Sequence, residues 1–281
     1  MTYFGFLLRF LVIPILILAG VTLWNERRGR NRAPSLRGTS VWLAIGLHML
    51  IALLYTTPWD NYLVATGVWW YDPALVTGIV LGWVPIEEYT FFVLQPILVG
   101  LWLVLLSQHL EFRPEPLRAN LRWLAPLLAG VLWLASVVVL LTGKQPATYM
   151  ALLLGWSLPP IMLQLAFGAD ILWRYRRIVF LSIVPVTLYL ITADALAIHA
   201  GTWTIDPAQS FGIFLGGVLP IEEFAFFLMT NVLLTSGMVL LWAEESHERL
   251  GEYWRWLRAR FSRNEPAGMP VADSLKNQVK G

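Results

Sequence analysis

Long apolar runs dominate this chain and restrict what it can fold into. A run of about 20 apolar residues is long enough to cross the hydrocarbon core of a bilayer as a helix. Of the 281 residues, 57% are hydrophobic and only 14% are charged, unlike a soluble domain. The sequence therefore predicts an all-α fold, a polytopic membrane bundle of seven transmembrane helices. Their approximate limits are 3–24, 40–58, 75–107, 121–142, 147–170, 177–196 and 209–242.

A pair of adjacent glutamates lies inside each of the two longest runs. Residues 85–92 read PIEEYTFF and residues 220–227 read PIEEFAFF, so that six of the eight positions are identical. Carboxyl groups inside a membrane are costly to bury, and they usually mark a functional site. The repeated motif is therefore the leading candidate for the site.

The similarity between the two halves extends upstream of the glutamates. Seven residue pairs share an offset of 134, whereas the glutamates are offset by 135, which indicates one inserted residue. The pairs are Tyr55/Tyr189, Asp60/Asp194, Gly67/Gly201, Trp69/Trp203, Asp72/Asp206, Pro73/Pro207 and Gly78/Gly212. A common offset over some 40 residues indicates duplication of a three-helix unit.

The duplication predicts four segments along the chain. The first repeat covers 1–110, a linker helix lies within 111–145, the second repeat covers 146–245, and 246–281 forms a cytoplasmic interfacial helix and tail. Because each unit has an odd number of spans, two units joined directly would have opposite orientations in the membrane. The additional linker span gives the second unit the same orientation as the first. The two repeats are thus expected to be parallel, with both glutamate pairs at the same depth and facing each other.

The arginines predict the orientation of the chain. They concentrate in alternate connections and in the C-terminal tail: Arg27, Arg28, Arg30, Arg32, Arg37, Arg113, Arg118, Arg174, Arg176, Arg177, Arg249, Arg255, Arg258, Arg260 and Arg263. Since positive loops remain in the cytoplasm, we expect a multi-pass protein of the cell membrane with its N-terminus outside and its C-terminus inside.

The motif residues also predict local structure. Asp72-Pro73 and Asp206-Pro207 resemble the N-cap and first residue of a helix, so we expect the third and seventh spans to begin there. At 1.5 Å per residue the glutamates would then lie roughly 20 Å inside, near the midplane. Pro85 and Pro220 would each kink their helix.

The candidate catalytic residues are the four glutamates, Glu87, Glu88, Glu222 and Glu223. A carboxyl group in an apolar cavity can stay neutral and donate a proton, and aromatic faces stabilise positive charge. Such a site suits protonation of an alkene and cyclisation of the resulting carbocation. The candidate substrate-binding residues are the surrounding aromatics, Trp83, Tyr89, Phe91, Phe92, Phe224, Phe226 and Phe227.

The residues give little indication of thiol, nucleotide-dependent or metal-dependent chemistry. The chain contains no cysteine, and it has no dinucleotide fingerprint, phosphate loop or metal-ligand pattern. We therefore expect no metal and no cofactor. A structural clamp between helices and a proton-coupled transporter remain alternatives, although few polar residues lie near the glutamates. A retinal-binding receptor is excluded, because Lys144, Lys276 and Lys280 all lie outside the spans.

A duplicated Pro-x-Glu-Glu motif followed by paired aromatics, in a chain of seven spans, resembles the integral-membrane lycopene cyclases. In that family the two three-span units occur as separate subunits or fused, and residues 1–245 resemble the fused form. The family motif corresponds to Pro85, Glu87, Glu88, Pro220, Glu222 and Glu223.

The resemblance implies that the ψ-ends of lycopene become β-ionone rings, giving β-carotene through γ-carotene without net redox change. An ε-cyclase or a hydratase of carotenoid end groups stays open as an alternative. The implied partners are lycopene and related carotenoids entering from membrane lipid. Association with further copies of the chain or with other enzymes of the carotenoid pathway is also open, and nucleic acid is not expected.

Overall fold

The computed structural model describes residues 1–111 and 116–262, so that Arg113 and the predicted tail beyond residue 262 lie outside the described residues. Within the described part, seven helices are long and apolar enough to cross a membrane, which confirms the predicted helical bundle. The helices are α1 (Tyr3–Leu7), α2 (Ile13–Arg27), α3 (Val41–Ala65), α4 (Ile86–His109), α5 (Leu121–Thr142), α6 (Thr148–Arg174), α7 (Arg176–His199), α8 (Ile221–Trp242) and α9 (Glu244–Ser262). A π-helical turn, Leu8–Val12, joins α1 to α2 into one span.

Six short strands precede α4 and α8. They are β1 (Trp69–Tyr71), β2 (Val80–Leu81), β3 (Val84–Pro85), β4 (Trp203–Ile205), β5 (Phe214–Leu215) and β6 (Leu219–Pro220). Strands β2 and β3 form one hairpin and β5 and β6 form another. The second hairpin has one more residue in its turn than the first. This extra residue accounts for the change of offset from 134 to 135.

The predicted spans over 75–107 and 209–242 are wrong at their N-terminal ends, because the hairpins occupy those residues. Glycines such as Gly78 and Gly82 have φ of +78° and +70°, a left-handed conformation that ends regular helix. Pro85 and Pro220 are the N-caps of α4 and α8 with extended ψ. They therefore start the helices and do not kink them.

Asp72 and Asp206 also differ from the prediction. Their carboxylates accept hydrogen bonds from the N–H groups of Ala74 (2.9 Å) and Ala208 (3.0 Å), which closes turns between the strands. Consequently the glutamates lie in the first turn of their helices and not near the midplane. Glu88 precedes His109 by 21 residues, about 32 Å of helix, which places it near one edge of a hydrocarbon layer about 30 Å thick.

Strands β1 and β4 pair across the two halves with two-fold symmetry. They are antiparallel, and Trp70 lies opposite its own repeat equivalent, Thr204. On either side, Trp69 pairs with Ile205, the repeat equivalent of Tyr71, and Tyr71 pairs with Trp203, the repeat equivalent of Trp69. This is the arrangement of an isologous contact between two copies of one unit. It shows that α4 and α8 begin side by side at the same end of the bundle.

Polar contacts and packing join the repeats in the interior. The amide of Gln95 on α4 donates to Thr230 (3.0 Å) and Asn231 (3.2 Å) on α8, and Asn231 donates to Thr187 on α7 (3.0 Å). Such bonds hold membrane helices together where hydrophobic association is weak. The linker helix α5 packs along α6 and leaves much of its surface exposed, with Trp123 82% exposed.

The basic residues gather at the end opposite the strands. Arg32 stacks on Trp242 at the end of α8, 4.8 Å from the ring centre. Helix α9 is tied to the end of α6 by Arg174–Glu245 and Arg249–Asp170 ion pairs, each 2.6 Å. The hydroxyl of Tyr175 also donates to Glu245 (3.2 Å). Burial raises the pKa of Tyr175 to about 12, so this hydroxyl keeps its proton at physiological pH.

Candidate active site

Two glutamates, one from each repeat, line a common cavity at the start of α4 and α8. Glu88 and Glu223 occupy the first turn of their helices, and both face a cavity of about 50 Å³. The remaining lining is mainly aromatic. It consists of Tyr3, Phe6, Trp69, Tyr71, Phe91, Tyr149, Asp194, Trp203, Ile205, Phe226 and Phe227.

Tyrosine hydroxyls hold the two cavity glutamates. Both Tyr3 and Tyr71 donate to Oε2 of Glu88, the latter at 3.1 Å. Tyr149 donates to Oε1 of Glu223 at 2.6 Å. These hydrogen bonds fix the direction in which each carboxyl group points.

The other member of each glutamate pair has a different environment. Glu87 and Glu222 are fully buried but do not belong to the cavity lining. Each accepts a backbone N–H bond of 2.7 Å from the loop before its hairpin, Glu87 from Thr77 and Glu222 from Phe211. These two glutamates therefore anchor the strand-bearing loops. Adjacent residues on a helix point about 100° apart, which explains why the two members of each pair have different surroundings.

A third carboxyl group, that of Asp194 on α7, also lines the cavity. It is 1% exposed, and its Oδ1 accepts a bond of 3.0 Å from the indole of Trp203. Its repeat equivalent Asp60 is fully buried on α3 and does not contribute to the lining. The two repeats thus differ at the site.

The predicted aromatic residues divide into two groups. Phe91, Phe226 and Phe227 line the cavity, whereas Trp83, Tyr89, Phe92 and Phe224 do not. Trp83 is 66% exposed in the turn of the first hairpin. Tyr89 donates its hydroxyl to the carbonyl of Leu81 (2.7 Å) and so secures the same hairpin.

The residues proposed from the sequence did not include the three tyrosines, and they did not include Asp194, which the sequence shows only as the recurring partner of Asp60. One signal was available, because Thr2-Tyr3 recurs as Thr148-Tyr149 at an offset of 146. The backbone N–H groups of Tyr3 and Tyr149 bond to the equivalent carbonyls of Leu75 (2.8 Å) and Gln209 (3.0 Å). No signal was available for Tyr71, since Ile205 occupies the equivalent place in the other repeat.

Two apolar grooves flank the bundle at equivalent positions. The α3–α6 groove has a volume of about 290 Å³ and includes Tyr55, Pro160 and Leu163 in its lining. The α2–α7 groove has a volume of about 300 Å³ and includes the equivalents Tyr189, Pro14 and Ile17. Of the two, the α3–α6 groove shares a lining residue with the cavity, Phe226.

Phe92 and Trp156 also line the α3–α6 groove. Trp156 stacks on Trp59 with 4.5 Å between ring centres, and Trp59 stacks on Phe226 at 6.0 Å. Aromatic side chains therefore continue from the groove to the wall of the cavity. A long apolar ligand lying in this groove would contact Phe226, which also lines the cavity.

The site combines proton carriers with an aromatic enclosure. Three carboxyl groups share a small cavity, where like charges repel strongly and not all of them can be ionised. The aromatic rings around them are suited to stabilising a cation. The arrangement can therefore donate a proton to an apolar molecule and accept one in return.

Comparison with known proteins identifies the family. The family model described as "Lycopene cyclase" matches residues 1–106 and 146–242. The chain is 43% identical over 198 residues to a protein named "Lycopene beta-cyclase" from Halobacterium salinarum, covering 70% of this chain and 81% of that protein. No solved structure matches the chain.

A protein named "Bifunctional lycopene cyclase/phytoene synthase" from Podospora anserina is 35% identical over 208 residues, covering 71% of this chain and 35% of the fungal protein. The similarity to the fungal protein thus concerns about a third of its length. Both the family match and the archaeal relative cover most of the chain. The chain therefore belongs to the lycopene cyclase family.

Proposed function

We propose that the protein is a lycopene β-cyclase, which converts the ψ-ends of lycopene to β-ionone rings and yields β-carotene through γ-carotene. The observation that carries the proposal is the aromatic cavity shared by Glu88 and Glu223, one from each repeat. Membership of the lycopene cyclase family supports it, as does the name of the archaeal relative. Largely aromatic walls favour an apolar substrate over the solute of a proton-coupled transporter.

The mechanism uses one carboxyl group as acid and another as base. A protonated glutamate gives its proton to the terminal double bond, and the resulting cation closes the six-membered ring by forming a carbon–carbon bond. A carboxylate then removes a ring proton, which leaves the ring double bond. One proton enters and one leaves, so the product is an isomer of the substrate. The surrounding rings, Phe91, Phe226 and Phe227 among them, stabilise the cation.

We assign the acid and the base to Glu88 and Glu223, and an anchoring role to Glu87 and Glu222. The test is conversion of lycopene in lycopene-producing cells, with pigment analysis and measurement of protein level. Glu88→Gln and Glu223→Gln should each lower cyclisation by roughly 10²-fold or more, because a general acid or base is lost.

Glu87→Gln and Glu222→Gln are the matched controls, one residue away in each repeat. The amide oxygen of glutamine can still accept the loop N–H, so these variants should keep most of the activity. Full cyclisation by both Glu88→Gln and Glu223→Gln would exclude the assignment. The ratio of β-rings to ε-rings in the same extracts tests the ring type.

We further propose that the polyene chain occupies the α3–α6 groove and reaches the cavity past Phe226. A cavity of about 50 Å³ has room for water molecules but is too small for a lycopene end group. Movement of Phe226, which belongs to both linings, would join the cavity to the groove. Since one groove meets one cavity, the two ends of lycopene would be cyclised one after the other.

Equivalent substitutions at the two groove rims test this path. Leu163 and Ile17 are repeat equivalents, 74% and 60% exposed, so a larger side chain at either place is compatible with folding. Leu163→Trp should lower the rate of ring formation and leave more monocyclic product, whereas Ile17→Trp should behave like the parent protein. Equal effects of the two substitutions would contradict the assigned path.

The membrane location and the orientation of the protein are also part of the proposal. We propose that it lies in the cell membrane with the strand-bearing end outside and α9 on the cytoplasmic surface, where the exposed Trp254 and Trp256 and the arginines would contact lipid headgroups. The division into repeats 1–110 and 146–245 with a linker within 111–145 belongs to the same proposal. Because the chain has no cysteine, labelling of a cysteine placed at Lys144 from outside intact cells tests the orientation.

The proposed protein partners are further copies of the chain or other enzymes of the carotenoid pathway. Cross-linking in the membrane, with mass spectrometry of the linked proteins, distinguishes the two.

A further inference from the structure

We infer that Asp194 carries a proton between Glu88 and Glu223 after each ring is formed. The inference rests on the proposed function. In that mechanism the acid ends the reaction without its proton and the base ends it with one. A second ring can form only after the proton returns. The two glutamates belong to different repeats and are held by different tyrosines, and a further carboxyl group in the same cavity can relay the proton between them.

The position of Asp194 fits this task. Its side chain lines the cavity together with those of both glutamates, and it belongs to α7 of the second repeat. Asp60, its repeat equivalent on α3, is buried and is absent from the cavity lining.

The hydrogen bonds of Asp194 leave one oxygen available. Oδ1 accepts a bond of 3.0 Å from the indole of Trp203, which orients the carboxyl group. Oδ2 is buried and has no hydrogen-bond partner among the described residues. A buried polar atom without a partner is costly and calls for an explanation, such as a catalytic role. Both oxygens of Asp60 also lack a partner among the described residues, so the place in the cavity lining is what distinguishes Asp194 from Asp60. A carboxyl group can take up a proton on one oxygen and release one from the other, which moves a proton without net change.

The difference between the two aspartates has a cause in the sequence. In the first repeat, Trp69 donates to the hydroxyl of Tyr71 (3.2 Å), and Tyr71 in turn donates to Glu88. In the second repeat, the place of Tyr71 is taken by Ile205, which has no hydroxyl, and Trp203 donates to Asp194. The two-fold symmetry is thus broken at the cavity, and one aspartate is directed to it.

The test is a time course of ring formation by the purified protein in lipid vesicles with excess lycopene. Asp194→Asn should form about one ring per protein molecule at the parent rate and then turn over roughly 10²-fold more slowly, as expected when a proton carrier is lost. Asp60→Asn is the matched control and should keep the parent steady-state rate. Asp194→Glu, which retains a carboxyl group, should restore steady turnover.

A purely structural role would lower the amplitude of the first turnover and the later rate together. Unchanged steady turnover by Asp194→Asn, loss of its first turnover, or an equal slowing by Asp60→Asn would each overturn the inference. If Asp194→Asn does not fold, Asp194→Ser, which also lacks a carboxyl group, replaces it. That variant should keep the first turnover and slow the later ones, and unchanged kinetics would again overturn the inference. A parent protein that forms no ring in the same vesicles contradicts the proposed function instead.

Discussion

At the scale of single residues, adjacent glutamates have unlike surroundings. Glu87 and Glu222 accept backbone N–H bonds from loops, whereas Glu88 and Glu223 accept tyrosine hydroxyls and face the cavity. The sequence shows four equivalent carboxyl groups. Only the direction in which each leaves its helix places two of them against the loops and two at the cavity.

The tyrosine donors predict unequal effects of two similar substitutions. Among the described residues, Glu223 accepts a hydroxyl bond from Tyr149 alone, whereas Glu88 accepts two, from Tyr3 and Tyr71. Tyr149→Phe should therefore slow cyclisation by about tenfold or more, since a hydrogen bond to a charged group contributes about 1.5–3 kcal/mol. Tyr3→Phe, the equivalent change in the other repeat, should have a smaller effect. The measurement is the rate of cyclisation by each variant in lycopene-containing membranes. A larger effect of Tyr3→Phe than of Tyr149→Phe would contradict this account.

At the scale of elements, the hairpins before α4 and α8 set the position of the site. The β2–β3 hairpin is held by Asn61 of α3, whose amide group accepts from the N–H of Trp83 (2.8 Å) and donates to Tyr89 (3.0 Å). This hairpin and its β5–β6 equivalent replace the first turns that a continuous helix would have. They place the glutamates at helix N-termini, where the helix dipole favours negative charge.

Gly82 makes the first hairpin turn possible. Its φ is +70°, and a Cβ atom there would lie 2.3 Å from Oδ1 of Asn61. We expect Gly82→Ala to lower the free energy of unfolding by about 1–3 kcal/mol, the usual cost of a strained backbone conformation. Gly20→Ala is the control, because Gly20 lies in α2 with no atom within 4 Å of the added carbon. Thermal unfolding in detergent measures the stability of both variants relative to the parent protein. Equal stability of the two variants would contradict the prediction.

At the scale of the whole molecule, the site exists only where the two repeats meet. Each repeat supplies one cavity glutamate, and the β1–β4 pair joins the repeats beside the cavity. The linker helix α5 packs on α6 and lies apart from the cavity lining. The connection between the repeats is therefore not needed for the geometry of the site.

A divided chain tests this conclusion. Residues 1–115 and 116–281, expressed together as separate chains, should assemble and cyclise lycopene, because the interior contacts of Gln95 and the β1–β4 pair can still form. Either part expressed alone should be inactive. Pigment analysis of the three cell lines gives the result. Activity of one part alone would show that the shared cavity is not the site.

The sequence by itself determined the helical membrane fold, the duplication and the glutamate motif. The length of each apolar run and the placement of the arginines can be read from short stretches of sequence. The constant offset between the two repeats is likewise visible without coordinates. The sequence prediction was wrong about where α4 and α8 begin, since an apolar hairpin and an apolar helix have the same hydropathy. Because the predicted depth of the glutamates was counted from those helix starts, it was wrong as well.

The tertiary structure alone decided which residues form the cavity. Tyr3, Tyr149 and Asp194 lie outside the motif on α1, α6 and α7, and they reach it because these helices pack around the starts of α4 and α8, whereas Tyr71 reaches it from β1. Asp194 lines the cavity and its repeat equivalent Asp60 does not. The difference between Tyr71 and Ile205 is visible in the sequence, but only the folded structure shows that Trp69 donates to Tyr71 whereas Trp203 donates to Asp194, because these bonds depend on distances that no local pattern in the sequence encodes.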